Sequence, residues 1–266
     1  MKLALITLSP EGSILVQQLA RVLTESHIYL HEKLAPLPGT EKFASVLALT
    51  AEIFPRYKGL LYVAPCGVAV RAIAPHVQNK HADPAVVVVD AGGRYAISLL
   101  AGHEGGANEL AVQTANIIGA EPVLTTTTEA LKNLIVGVGC RRGMTAPRIV
   151  AAVQEALAEA GARLAEVRYL ATADIKAGEA GLLQAAQELQ VPLRFIAAEE
   201  IRASGREFTL SPLVQQKFNL PAVAEPAALL AGRRTQLILP RRTYQGITVA
   251  IAREGSTWSA SDPADL

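Results

Sequence analysis

Residues Ala85 to Asp90 read Ala-Val-Val-Val-Val-Asp. Four consecutive β-branched side chains are stiff at χ1 and suit a strand better than a helix. A strand with no polar residue on either face has to be covered on both, which is the setting of a largely parallel sheet flanked by helices. This one run therefore points to an α/β fold. Ala91-Gly92-Gly93 follows as a turn, which makes Tyr95 to Leu99 the returning strand of a hairpin.

The rest of the chain alternates in keeping with that reading. Lys2 to Leu8 and Gly59 to Val63 read as strands, and Ser13 to Leu23 and Glu41 to Phe54 read as helices, the latter stopped by Pro55. Pro65-Cys66-Gly67 turns the chain into a short helix through Arg71, and a longer helix runs to about Ile118 before a strand at Val123 to Thr125. A second cycle opens with the strand Leu134 to Cys140. Helices at Thr145 to Ala160 and Gly178 to Leu189 follow, with strands at Leu193 to Ile196, Gln236 to Leu239 and Ile247 to Ala252. Two α/β domains with largely parallel sheets are expected, 1–131 and 132–266, divided within Glu129 to Asn133.

Apolar residues make up 50% of the 266 and charged ones 18%, enough to fill two cores and too apolar for a disordered chain. The net charge of +1 gives no overall attraction to nucleic acid or to an anionic membrane. An anionic ligand must be met locally, by arginines or helix N-termini. The opening residues reach Ser9-Pro10 too soon for a secretory apolar core, and no apolar run approaches the roughly 20 residues of a membrane span. Cys66 and Cys140 are far apart and lack a C-x-x-C partner, so both read as reduced, buried structural thiols. The expectation is a soluble cytoplasmic protein.

One stretch interrupts the aliphatic pattern: Leu99 to Ala111, LLAGHEGGANELA. If Tyr95 to Leu99 is a strand, Gly102 to Asn108 lies at its carboxyl end, where open α/β sheets bind ligands. Gly102, Gly105 and Gly106 allow close backbone approach, and the helix that follows offers its positive end. His103 can carry a proton near neutral pH, Glu104 or Glu109 can act as base or orient the imidazole, and Asn108 can donate to an oxyanion. The same residues also suit a plain helix start in which His103 caps and the two glutamates favour the dipole.

A second loop, Gly137 to Ile149 (GVGCRRGMTAPRI), spaces its glycines G-x-G-x-x-x-G, one residue too wide for the dinucleotide fingerprint. Thr145 suits an N-cap and Pro147 the first turn, so Arg141 and Arg142 stand ahead of a helix N-terminus, placed to grip carboxylates or phosphates. His27 and His31 are four apart but lie in a strand-like stretch beside Tyr29 and Leu30, which favours surface histidines, and His76 with His81 lack a third ligand nearby for a metal. Arg71 lies on an otherwise apolar helix and can pair with Asp83 or Asp90 or project into a site. G-x-S-x-G and HExxH patterns are absent from the sequence.

PCGVAVRAIAPHVQNKHADPAVVVVDAGGRYAISLLAGHEGGANELA followed by GAEPVLTTTTEA resembles the N-terminal region of the cobalt-precorrin-5A hydrolases of anaerobic cobalamin biosynthesis. GVGCR, ATADIKAGEAGLLQAAQELQVPLRFIAAEE, LPAVAEPAALLA and LILPRRTYQGITVAIA are similar to that family's C-terminal domain. Met144 and Pro147 stand where a small hydroxyl residue and an acid are expected, and Ala224 where cysteine is common.

The resemblance implies a hydrolase that opens the δ-lactone of a cobalt-bound, ring-contracted tetrapyrrole. It releases C20 with its methyl group as acetaldehyde and leaves cobalt-precorrin-5B. His103, Asn108, Glu109 and Glu104 become the catalytic candidates, with loop N–H groups sharing the oxyanion. Arg71, Gly102, Gly105, Gly106, Thr125, Thr126, Arg141 and Arg142 become the substrate-binding ones, and Arg94 joins the arginines that meet the substrate's carboxylates. No cofactor held by the protein is implied, because cobalt arrives within the substrate; axial ligation of that cobalt is an alternative role for His103. The partner is the corrinoid, with neither nucleic acid nor membrane; a homodimer is admitted but not specified. A non-catalytic corrinoid carrier and, on the Gly137–Gly143 loop, an NAD(P)-dependent enzyme are the competing readings.

Overall fold

Every residue of the valine run is buried, Val86, Val87 and Val89 completely. In the computed structural model, which describes residues 1–255, the run is the fifth strand of a seven-stranded sheet. The chain divides into two compact units, Met1–Thr127 and Thr128 onward.

The first unit runs β1 (Leu3–Thr7), α1 (Pro10–Ala20), β2 (Ser26–His31), β3 (Thr40–Phe43), α2 (Val46–Ile53), β4 (Gly59–Val63), α3 (Cys66–Ile73), β5 (Ala85–Val89), β6 (Tyr95–Leu100), α4 (Ala107–Ile118) and β7 (Glu121–Val123). Sheet order is β3-β2-β1-β4-β5-β6-β7. β1 to β5 are mutually parallel; β6 is antiparallel to β5, and β7 runs parallel to β6. On one face Val86 and Val88 pack with Ala4, Ile6, Leu60 and Tyr62. The alternate residues Leu5, Leu61 and Val87 are buried too, as a doubly covered sheet requires.

Glu41 to Phe54 is not one helix. Thr40–Phe43 is an edge strand with only Phe43 buried, and Ser45 then accepts from the Ala48 N–H at 3.3 Å and starts α2. The serine supplies an N-cap that a helix beginning four residues earlier would have left unused.

The hairpin between β5 and β6 is held by Asp90, whose carboxylate accepts from the N–H groups of Gly92 (3.2 Å), Arg94 (2.8 Å) and Tyr95 (2.8 Å). Partial burial alone would raise this carboxyl, but the three backbone donors outweigh it and hold it below its ordinary range. A depressed folded value means stability that is present above the unfolded pKa and lost as pH falls through the folded one. Asp90→Asn is therefore expected to lower stability by about 1 kcal/mol at pH 7. In thermal melts the gap from wild type should shrink once the pH drops below the ordinary Asp range; a gap that is constant with pH would contradict this.

A single turn, α5 (Thr127–Ala130), leads to the second unit. Its elements are β8 (Leu134–Cys140), α6 (Ala146–Glu159), β9 (Val167–Ala173), α7 (Ala180–Leu189), β10 (Leu193–Ile196), α8 (Ala198–Ala203), α9 (Pro212–Phe218), α10 (Ala224–Leu230), β11 (Gln236–Tyr244) and β12 (Ile247–Arg253). The sheet order is β10-β9-β8-β12-β11, with β12 antiparallel to β8. Periodicity does not pick out β9, because Arg168 and Thr172 interrupt its apolar run. Both are satisfied in place, Arg168 by Glu254 at 2.5 Å and Thr172 by donating to the Val138 carbonyl at 2.8 Å.

Among the described residues no helix is long and apolar enough to cross a membrane. The two cysteines are unpaired, and neither is buried: Cys66 is exposed in the first turn of α3, and Cys140 is half-buried at the end of β8.

Candidate active site

Because β6 runs against β5 (Val86 opposite Leu100, Val89 opposite Ala96), the Gly-rich loop after it emerges where β5 begins. The sequence reading put this loop at a carboxyl end. That holds for β6 itself, but the loop lies at the amino edge of the parallel strands β1 to β5. β7, parallel to β6, delivers Leu124 to Thr126 to the same edge. Three segments meet there: Gln78 to Pro84 before β5, Ala101 to Gly106 after β6, and the threonines after β7.

The loop is built from the backbone upward. Ala101 (φ 54°) and Gly106 (φ 85°) take left-handed conformations and reverse the chain. The Ala101 carbonyl accepts from Gly105 N–H (3.1 Å) and Ala107 N–H (3.2 Å), and the Gly102 carbonyl accepts from Asn108 N–H (2.9 Å). Three amides that could have faced an oxyanion are therefore spent inside the loop, contrary to expectation. A methyl group at Gly105 would lie 2.5 Å from the Ala101 Cβ, and one at Gly102 would lie 2.7 Å from Thr126 Cγ2 and 2.9 Å from Asn108 Oδ1. These glycines serve close packing of the loop on itself and on Thr126.

Asn108 is buried in the first turn of α4, and its Nδ2 donates to Thr126 Oγ1 at 3.0 Å. Among the described residues its Oδ1 is buried without a hydrogen-bond partner. An unsatisfied buried amide oxygen costs about 1–3 kcal/mol, so it marks a place where a donor is missing. As placed, the open atom of Asn108 is thus an acceptor rather than the expected donor.

His103 is exposed and, among the described residues, bonded to neither glutamate, so the expected imidazole–carboxylate pair is not formed. Nor does His103 cap α4, whose N-cap is Gly106. Glu104 instead binds Lys80 Nζ at 2.6 Å, and this contact holds its carboxyl below the usual range, with His81 adding to the effect. Glu109 is exposed on α4. Lys80 and His81 belong to this edge, yet the sequence reading assigned them no role here. The only signal was their place in the turn before β5, where Asn79 Oδ1 accepts from the His81 and Ala82 N–H groups.

Other candidates lie elsewhere. Arg71 pairs with neither aspartate; its Nη1 donates to the Gly67 carbonyl of its own helix at 3.1 Å. Asp83 accepts from Gln78 N–H through both oxygens, and Asp90 is occupied by the hairpin. Arg94 is exposed beside Asp90 at 3.6 Å. Of the histidine pairs, His27 shares a hydrogen bond with the Tyr57 hydroxyl at 2.7 Å, and His31 stacks edge-on with Phe43.

In the second unit Arg141 and Arg142 stand, exposed, in the loop after β8. Gly137 and Gly139 do not belong to that loop. They lie inside β8, where a methyl group at Gly137 would sit 1.9 Å from the Ala224 carbonyl oxygen and one at Gly139 would sit 3.2 Å from Val223 Cβ. Gly137 lets α10 rest on the strand, and Gly139 makes room for Thr248 Oγ1 of β12, 2.5 Å from such a methyl group, and for Val223 ahead of α10, which removes the basis of the dinucleotide reading. Thr145 has the extended backbone of an N-cap but makes no side-chain cap bond.

Two family models match the chain, the cobalamin synthesis G N-terminal model over residues 48–129 and the cobalamin synthesis G C-terminus model over 134–252. The chain belongs to the cobalamin synthesis G family. Among its relatives, the cobalt-precorrin-5A hydrolase of Salmonella typhimurium is 26% identical over 342 residues, covering 94% of this chain and 97% of that protein. That of Priestia megaterium is 23% identical, covering 94% of each. Protein CobE of a Sinorhizobium species is 36% identical over 128 residues, 47% of this chain and 83% of that protein. Since 94% of 266 residues is about 250, some 92 positions of the Salmonella alignment have no counterpart in this family member.

Proposed function

We propose that this chain is a cobalt-precorrin-5A hydrolase, adding water to the ring A lactone and releasing C20 as acetaldehyde to give cobalt-precorrin-5B. The observation that carries the reading is the match, over nearly the whole of both chains, to relatives named for this activity.

Water attacks the lactone carbonyl, the ester C–O bond breaks, and a carboxylate and a free hydroxyl result. Loss of the hydroxyl proton forms the aldehyde carbonyl as the C–C bond to the ring breaks, and the electron pair passes into the macrocycle. His103 is the proposed proton acceptor, exposed at the loop surface and unbonded among the described residues. Of the two glutamates Glu109 is the proposed second base, since Glu104 is committed to Lys80. Because the Thr126 hydroxyl both donates and accepts, half a turn of the Asn108 amide would let Thr126 donate to Oδ1 and free Nδ2 for the oxyanion. Without that turn, Oδ1 is an acceptor for the attacking water. In the first unit Lys80 is proposed to meet a carboxylate of the substrate, with Gly102, Gly105, Gly106, Thr125 and Thr126 shaping the site and Arg71 lying outside it. In the second unit Arg141 and Arg142 are proposed carboxylate contacts. Cobalt is part of the substrate in this scheme.

The test is a single-protein incubation with cobalt-precorrin-5A in which acetaldehyde is trapped and counted. One acetaldehyde per corrinoid consumed is expected. Corrinoid binding with no acetaldehyde would overturn the proposal in favour of a carrier. An unchanged visible spectrum of substrate bound to His103→Ala would separate proton transfer from axial ligation.

A further inference from the structure

At the carboxyl edge of the second sheet lies a cation that the scheme above does not use. Lys176 ends the single turn Asp174–Lys176 after β9, and only 8% of it is exposed. Fully buried lysines are rare and are normally well paired, because removing an ammonium from water costs several kcal/mol. Lys176 is paired weakly. Among the described residues its one hydrogen bond runs to Glu179 Oε1 at 3.2 Å, long for a charge-assisted bond, although an ammonium has three protons to donate.

Glu179 is itself divided. Its Oε2 accepts from the Gly143 N–H at 3.0 Å, the first reason its carboxyl lies below the usual range, and Arg142 adds to the effect. One carboxylate thus answers to a buried ammonium, a loop amide and a guanidinium. Asp174, the other acid nearby in the chain, spends Oδ1 on the Ala198 N–H at 3.2 Å. Methyl groups at Gly143 or Gly178 would meet no atom within 4 Å, so there is open space beside the loop that Glu179 holds.

We infer that Lys176 is the floor of a carboxylate-binding subsite in the second unit, with Arg141 and Arg142 at its rim, taking an acetate- or propionate-type arm of the ligand. This rests on the proposed corrinoid substrate but not on the hydrolysis. The Glu179 clamp on Gly143 holds the arginine loop against the ammonium, so the incoming carboxylate completes a cluster that Glu179 alone leaves short of negative charge.

The probes are dicyanocobyrinic acid, a corrin whose arms are free carboxylates, and its heptamethyl ester, in which they are masked. The wild-type full chain should bind the acid more tightly than the ester. Lys176→Met should weaken the acid by about tenfold or more, the worth of one buried charge-assisted hydrogen bond, and leave the ester unchanged. Lys176→Arg should recover part of the loss. Because Lys176→Met strands Glu179, the double variant Lys176→Met/Glu179→Gln, which removes both charges together, carries the test if the single variant does not fold. Equal affinity of folded variant and wild type for the acid, an equal loss on the ester, or no binding of the acid by wild type would each overturn the subsite. Acetaldehyde release is scored separately, so a wild type that binds but does not hydrolyse sinks the enzyme reading and leaves Lys176 judged on binding.

Discussion

Asn108→Ala and His103→Ala are each expected to slow acetaldehyde release by about 10²-fold or more while the fold persists. The two reach that result differently. His103 is exposed and bonded to nothing among the described residues, so its loss should leave the melting temperature unchanged and act on turnover alone. Asn108 is buried against Thr126, and truncation removes both the bond to that hydroxyl and the unpartnered Oδ1. Losing an unsatisfied atom offsets losing a satisfied one, so the stability change should be small. A large drop in turnover with little change in melting is the signature of an atom kept for function. Wild-type turnover in either variant would reject the role given to that residue. Thr126→Val, which keeps the shape and removes the hydroxyl, should fall between Asn108→Ala and wild type.

The second large effect concerns stability. Gly137→Ala places a methyl group 1.9 Å from the Ala224 carbonyl oxygen and 2.8 Å from the Ala228 nitrogen, both backbone atoms of α10 that cannot swing aside. Overpacking of this kind is expected to cost about 3 kcal/mol, seen as an earlier urea transition of the second unit. Gly178→Ala, facing open space, is the control and should stay within about 0.5 kcal/mol of wild type. Equal transitions for the two variants would mean that α10 does not rest on β8 through this glycine.

The same residue shows why part of the site was hard to read. Gly137 and Gly139 look like a phosphate loop when only their spacing is counted, yet they are strand residues, and the missing side chain of Gly137 admits a helix from about 85 residues further on. Spacing records neighbours along the chain, whereas the need for a glycine here comes from a distant backbone. Arg71 shows a similar limit. Of its two readings, an aspartate partner or projection into a site, the first is not met, because its Nη1 donates to the carbonyl four residues back on its own helix. The pairing of Glu104 with Lys80, 24 residues apart, left no local trace at all.

What local chemistry dictates was legible without coordinates: the valine run as a doubly covered strand, the glycines that end it, and the polar loop that must follow β6. These depend on side-chain branching, backbone freedom and periodicity, which act over a few residues. Strand pairing decided the rest. Reversal of β6 against β5 carried the histidine loop to the amino edge of the parallel strands and brought it against Lys80 and Thr126. In the other sheet, the parallel pairing of β9 with β8 and β10 set Lys176, just after β9, buried at the carboxyl edge. Those outcomes depend on hydrogen bonding and burial between segments remote in sequence, and no window along the chain contains both partners.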